Sequence, residues 1–526
     1  MTERILVIGA GVGGLAAALR LAHAGRTVTV LERAADPGGK MRTLPSAAGP
    51  VDAGPTVMTM RWVFEDLFDA VDEHLADHVT LHPEPLLARH WWPDGSTLDL
   101  HADAQASEAA IHDFAGHRAA AEFRAFDAEA ARLFAAFDAP MMQAARPALS
   151  RLAATVLSRP ALIAPLAPFA TLARRLAARF SDPRLRQLFG RYATYVGGSP
   201  FASPAVLSLI WHAEARGVWR VEGGMHRLAQ ALEGLAHARG AAFRYGAHVA
   251  RIDTQGGRAT GVTLQDGTRI PADRIVFNGD PAALHRGLLG EPARRAVPKA
   301  AVTPRSLSAQ VWAFAARPSG PELAHHNVFF GADPHAEFDP IPAGRLPTDP
   351  TIYVCAQDRG GTPPEGLERF ETIMNAPPTL PPEGAENEGP TPCRMQQDRD
   401  LTFGTLARFG LTFDPPPQDN ALTTPAGFAA LFPGSDGSLY GRSPHGLTAS
   451  LQRPTAQTAI PGLYLAGGGA HPGAGIPMAT LSGRHAAAAI LSAPASTSPS
   501  PRTATPGGMS TRSATAAPAR SPSSPS

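Results

Sequence analysis

The stretch ILVIGAGVGGLAAALRLAHAGRTVTVLE, residues 5–32, decides how this chain folds. Ile5–Ile8 is a short apolar run, Leu15–Ala24 carries Ala and Leu at helical spacing, and Thr27–Leu31 alternates as a strand does. Between the first run and the helix, Gly9, Gly11 and Gly14 form G-x-G-x-x-G. Gly9 allows the tight turn, Gly11 lets the backbone approach a pyrophosphate, and Gly14 lets the helix pack on the strand. The helix start offers unpaired N–H groups and a positive dipole end to phosphate. Glu32 closes the second strand, where a carboxylate can accept from ribose hydroxyls and would repel a phosphorylated ribose, which disfavours NADP.

Working outward, Arg33 and then Gly38-Gly39-Lys40-Met41-Arg42 follow Glu32. A glycine pair followed by a cation places positive charge beside the diphosphate of an extended dinucleotide. At the other end of the chain, Leu463–Ala466 reads as a strand, followed by a glycine-rich turn through Gly467 and a helix from about Pro477 to Leu491. One nucleotide half-site opening the chain and one glycine-rich closure suit FAD rather than NAD. Pro477 sits where the first helical turn begins, a position Pro favours. A flavin edge above that N-terminus would gain ~0.3–1 kcal/mol for its anionic reduced form.

The chain has 526 residues, with 44% hydrophobic and 18% charged residues, enough for a large core and two or three packed regions. A net charge of +1 gives no reason to expect nucleic acid. Cys355 and Cys393 form no paired motif, so no metal site is expected and a reducing, cytoplasmic setting fits. The first residues enter a strand at once, without room for a signal peptide, and no run of eighteen apolar residues appears.

The pattern is helical from about 104 to 195, and strands return between about 241 and 277, with turns at Gly256-Gly257 and Asp266-Gly267. Residues 376–392 read as an exposed, mobile insertion, and 493–526 as a disordered Ser/Pro/Thr/Ala tail. The expected architecture is α/β. A Rossmann-like FAD-binding domain of amine-oxidase type is assembled from 1–70, 215–290 and 440–492. A helical and substrate region covers 71–214, and a mixed-sheet substrate domain covers 291–439. The helical part is expected to face a membrane through 152–191. There an apolar but Pro-broken segment, Leu152–Leu172, precedes Arg174, Arg175, Arg179, Arg184 and Arg186, opposed by Asp182.

Several stretches together resemble the bacterial phytoene-desaturase family of carotenoid desaturases. They are GAGVGGLAAALRLAHAG, LERAADPGGKMRT, VDAGPTVMTM, Gly197-Gly198-Ser199-Pro200, Val221-Glu-Gly-Gly-Met225 and LAGGGAHPGAGIP. They span nearly the whole chain up to about residue 492. GPTVMTMRWVFEDLF and GGGAHPGAGIPMATLSGRHA are most similar to the subgroup, from purple phototrophic bacteria, that desaturates hydroxy- or methoxyneurosporene. Many relatives have Gly where this chain has Met478, which favours the narrower subgroup.

The resemblance implies non-covalent FAD held by Gly9, Gly11, Gly14, Glu32 and the Gly39-Lys40 turn. It implies adenine contact from Val249, with Asp52-Ala-Gly54-Pro55-Thr56 along the isoalloxazine. Asn278-Gly-Asp280 resembles the turn that closes the nucleotide fold. Arg33, Gly467, Ile476, Pro477 and Met478 complete the expected cofactor set. A forty-carbon acyclic carotenoid is the implied substrate. The implied reaction is 3,4-desaturation by hydride transfer to flavin N5, with a membrane surface and a quinone or oxygen acceptor as partners.

Loss of hydride beside a polyene leaves an acidic cation, so no strong base is required. His471, in the flavin loop, is the nearest catalytic candidate, though a turn-capping role is the plainer reading, and Asp52 reads as structural. Phytoene desaturation, oxidation of amines or porphyrinogens, and a non-catalytic carotenoid escort stay open as alternatives. An amine oxidase would need an aromatic cage, and the six Trp and six Tyr show no clustering near the flavin loops.

Overall fold

The protein is described by a computed structural model that places residues 3–379 and 392–493. The tail and most of the 376–392 insertion fall outside the described residues. Strand Arg4–Ile8 lies at the centre of a five-stranded sheet, in the order Leu463–Leu465, Arg274–Phe277, Arg4–Ile8, Thr27–Leu31, Ala242–Arg244. Every neighbouring pair is parallel. Its middle strand is covered on both faces, which is why Ile5–Ile8 is uninterrupted by polar residues.

The first helix, Val12–His23, starts three residues earlier than the Ala/Leu pattern suggests. Gly13 and Gly14 are helical because neighbouring backbone leaves no room for side chains. A Cβ on Gly13 would lie 2.6 Å from Gly467 N, and one on Gly14 2.2 Å from Gly9 O. The C-terminal helix, Ile476–Leu491, crosses against this first helix at Gly483, where a Cβ would stand 2.3 Å from Gly13 O. Both ends of the chain are thereby locked into one core with Leu15, Leu19, Val28, Ala486 and Ile490.

Among the described residues a second sheet has eight strands. Its long central strand, Ser308–Ser319, pairs antiparallel with Glu368–Ala376, which continues to Ile352–Ala356 and His326–Phe329. Leu86–Trp91 then adds in parallel, Asn327 opposite Arg89, and Thr97–His101 closes the edge. The sheet is mixed, as expected, but it is not confined to residues 291–439. Two of its strands come from the span read as helical: the local hairpin of Leu86–Trp91 and Thr97–His101 joins the sheet through His326–Phe329.

Helix Ala104–Phe137 begins where the helical pattern begins, is capped by Asp103, whose carboxylate accepts from Ala106 N at 2.8 Å, and kinks at Gly116. Phe123, Phe126, Phe180, Phe189 and Trp211 fill the core beneath it. No helix among the described residues is long and apolar enough to cross a membrane.

Of the arginines after residue 172, Arg174 is exposed, and the other four bond within the fold. Arg175 donates to Glu129 at 2.7 Å and Arg179 bonds the same carboxylate. Arg184 pairs with Asp182 at 2.7 Å, and Arg186 Nε donates to Phe180 O at 2.7 Å. A charged side chain already committed inside the fold has little left for a lipid headgroup. Large apolar side chains are exposed in the same region beside Arg151, Arg159 and Arg174: Leu149 is 65%, Leu157 78% and Phe169 93% exposed.

Candidate active site

The glycine turn, the first helix and the C-terminal motif meet at one side chain. Asn278, at the end of strand Arg274–Phe277, donates from Nδ2 to Gly9 O at 3.2 Å, and Gly11, Gly14 and Gly467 all pack against it. The Gly38-Gly39 turn closes from the other side, Gly38 N donating to Ala10 O at 2.8 Å. Gly11 caps the first helix with no side chain, so its first-turn N–H groups face outward uncapped, as an anion requires. This cradle fits a dinucleotide diphosphate.

Glu32 is buried, and its carboxylate accepts from Ala10 N at 2.7 Å and Ala34 N at 2.8 Å. Each oxygen keeps a lone pair for a ribose hydroxyl. Ala247 N and Gly246 N bond Glu32 O and Ala34 O, which brings buried Val249 beside the end of the second strand. Arg33 Nη2 donates to Ala430 O at 2.9 Å. Lys40 does not stay with the glycine turn: its ammonium bonds Leu439 O, lies 5.4 Å from the Phe432 ring centre, and is lowered to about 8 by burial. The structure therefore gives both cations protein partners in the 430–440 segment.

Asp52 is a brace, as read from the sequence. Its carboxylate accepts from Met225 N at 2.6 Å and ties the loop before Gly54 to the Gly223-Gly224 turn. Gly54 passes so close to Lys40 that a Cβ would sit 1.9 Å from Lys40 O. Gly54, Pro55 and Thr56 then line a cavity of about 880 Å³, shared with Gly475, Ile476 and Pro477. Helix Ile476–Leu491 begins at that wall, with Gly475 as N-cap and no side-chain cap, so its positive end is open to the cavity side. Met478 points away from that wall and packs with Met60, Val63 and Leu481. The remaining walls include Trp92, Phe330 and Phe338, and the rim reaches Ala173, Ala177 and Arg184.

His471 does not line this cavity. Its Nε2 donates to Ala144 O at 2.7 Å, its ring stacks on His485, and burial lowers its pKa. It ties the Gly467–Gly475 loop to Ala144. Phenols do gather at the cofactor wall, contrary to the sequence expectation: Tyr195, Tyr353 and Tyr440 all line the cavity. Tyr195 and Tyr192 both bond buried Glu214, and Arg191 Nη1 lies 3.3 Å from Tyr195 Oη. Of the three phenols lining the cavity, those of Tyr195 and Tyr353 are hydrogen-bonded.

Sequence reasoning missed a group centred on Tyr353. Thr56 Oγ1 is 2.9 Å from Tyr353 Oη, which is 2.7 Å from His326 Nδ1. His325 Nε2 stands 3.7 Å from Cys355 Sγ, and the ligating atoms of His325, His326 and Cys355 all lie within 4.8 Å of one another. Only the His-His pair was visible in advance, since nothing in local spacing shows that Gly54–Thr56 arrives above these strands.

Two uncapped helix N-termini that would hold an extended dinucleotide, one of them at the wall of a mainly apolar cavity, are the plan of an FAD-dependent oxidoreductase. The pattern of the family described as flavin containing amine oxidoreductase matches residues 12–321. Hydroxyneurosporene desaturase of Cereibacter sphaeroides is 61% identical over 492 residues, 93% of this chain and 98% of that protein. Its namesake in Rhodobacter capsulatus is 53% identical over 488 residues, 93% and 97% of the two chains. A solved putrescine oxidase shares the fold with a TM-score of 0.59 at 14% identity, covering 93% of this chain and 99% of that one. The chain belongs to the flavin-containing amine oxidoreductases, in the branch formed by the carotenoid desaturases, and its cofactor is FAD.

Proposed function

We propose that this enzyme introduces the 3,4 double bond into acyclic carotenoids of the 1-hydroxy- or methoxyneurosporene type. The observation that carries this reading is the cavity, mainly apolar but with Arg191, Glu337 and Asn375 in its wall, joining the Gly54–Thr56 and Gly475–Pro477 wall to the helices after residue 172. It supports a long hydrocarbon substrate, and the names of the relatives support the particular polyene. The flavin, when bound, supplies a two-electron acceptor that takes a hydride at N5. Gly9, Gly11, Gly14, Glu32, Gly39 and Val249 would hold its nucleotide half. Gly54–Thr56, Gly467, Ile476 and Pro477 would frame its reactive half. The protein must keep a substrate C–H within roughly 3–3.5 Å of the acceptor and exclude water, which Trp92, Phe330 and Phe338 do.

Moving a forty-carbon chain from bilayer to water costs on the order of 30 kcal/mol at ~0.8 kcal/mol per carbon. The enzyme therefore docks peripherally on the cytoplasmic face of the inner or intracytoplasmic membrane. Docking runs through the exposed Leu149, Leu157, Ile163 and Phe169. The product enters the pigments of a photosynthetic membrane, and a quinone or oxygen re-oxidises the cofactor. The test is pigment analysis after expression in two hosts, one making 1-hydroxyneurosporene and one making phytoene. Conversion in the first host is expected. Conversion of phytoene alone would refute the reading.

A further inference from the structure

Desaturation breaks one C–H bond on each of two adjacent carbons and forms a π bond between them. One hydrogen leaves with its electron pair to the flavin, and the other must leave as a proton into a cavity walled largely by hydrocarbon. A hydrogen-bonded chain begins at the cofactor wall and runs as far as His326, whose ring lies edge-on against that of His325. Thr56 and Tyr353 line the cavity, Thr56 Oγ1 lies 2.9 Å from Tyr353 Oη, and Tyr353 Oη lies 2.7 Å from His326 Nδ1. The His326 ring centre is 4.5 Å from that of His325. His325 and Cys355, 3.7 Å apart, line a second, smaller pocket of about 260 Å³ together with Gly360 and Gly361, which are exposed. Thr56 is common to both pockets.

We propose that Tyr353 and His326 form the proton-accepting pair of the reaction, with Thr56 orienting the phenol and His325 and Cys355 leading the proton to the second pocket. The inference rests on the desaturase reading above. The phenol oxygen takes the proton from carbon while its own proton passes to His326 Nδ1, so that phenol stays neutral and imidazole becomes imidazolium. Return of that proton through the His325–Cys355 side to water resets the pair. The two electrons of the breaking C–H bond stay in the new π bond, and those of the hydride reduce the flavin.

Burial, His325 and Arg191 all hold His326 well below its ordinary pKa, so in the resting protein it is neutral and free to accept. A carbocation conjugated to a polyene is a far stronger acid than such an imidazolium, so the transfer runs downhill. Tyr353 remains protonated because burial, Cys355 and Glu371 disfavour its anion. A metal bound at His325, His326 and Cys355 would compete with Tyr353 for His326 Nδ1.

The experiment follows flavin bleaching in anaerobic stopped flow, with FAD-loaded enzyme and 1-hydroxyneurosporene in detergent micelles. Y353F should lower the limiting rate by roughly 10²–10⁴-fold, the usual contribution of a positioned acid–base group, with FAD content and KM unchanged. H326L should match it, and H326N, which keeps a polar atom facing the phenol, should recover part of the rate. In the resting protein, selective ¹⁵N labelling of histidine should show His326 with an unprotonated, hydrogen-bonded Nδ1, and that signature should be lost in Y353F. Wild-type bleaching by Y353F, a rise in KM with kcat unchanged, or a protonated Nδ1 would each overturn the relay. So would stoichiometric zinc or iron in the purified enzyme that is lost in C355A. No bleaching in the wild type would count against the desaturase reading, and the histidine spectrum would then decide the relay alone.

Discussion

Glu337 lies on the cavity wall, where Thr351 Oγ1 and Asn375 Nδ2 donate to its two oxygens at 2.6 and 2.7 Å. Burial outweighs those bonds and pushes its pKa up to about 7 from the ordinary 4.5. The folded chain therefore keeps a proton that the unfolded chain has already lost. Stability from this group is complete below the unfolded value and falls as pH rises towards the folded one, by about 1.4 kcal/mol per pH unit at most. E337Q should remove that slope. Thermal melts of the two proteins should converge near about pH 5 and diverge by several degrees near about pH 8, and parallel melting curves would contradict the assignment. Nothing in the local sequence marks Glu337, Tyr353 or His326 as special. Their chemistry comes from low-dielectric surroundings that local sequence does not describe.

The segment 149–169 is legible in the sequence as apolar, but its polarity relative to the fold is not. Helix Leu149–Leu157 buries none of its residues, and Phe169 stands almost free. Replacing Leu157 and Phe169 together with Ser removes two large apolar groups worth about 1.5–3 kcal/mol each when fully buried. Liposome co-sedimentation should fall at least about ten-fold with Tm unchanged. R175E should act in the opposite way, lowering Tm by breaking the Glu129 bridge while leaving vesicle binding intact. If R175E alone abolished vesicle binding, the arginines would be restored as the lipid contact. Both readings draw on the same stretch of chain. The difference is that Glu129 lies more than forty residues earlier and reaches the arginines only after helix Ala104–Phe137 has packed.

Across the molecule, the dinucleotide cradle draws on residues 9–14, 38–54, 246–249, 278 and 467–477, of which 9–14 and Gly467 meet at Asn278. A ligand that spans such distant segments stabilises the folded state alone. At a hundred times its dissociation constant, FAD should contribute about 2.7 kcal/mol. Stripping the flavin should lower Tm by several degrees, and titrating FAD back should restore it in a concentration-dependent way, measured by scanning calorimetry. A Tm indifferent to FAD would show that the cradle does not bind FAD in the folded state.

The parallel α/β layout, the flavin and its two glycine-rich half-sites could be read from residues 5–32 and 463–478, because each is a local contract between backbone shape and phosphate or helix geometry. Position in the sheet, the mixed pairing of Leu86–Trp91 with His326–Phe329, the neutralisation of Arg175 and Arg179, and the Thr56–Tyr353–His326 chain could not. Those depend on contacts between residues far apart along the chain. Burial and partner charge, which set protonation and reach, exist only once such contacts have formed.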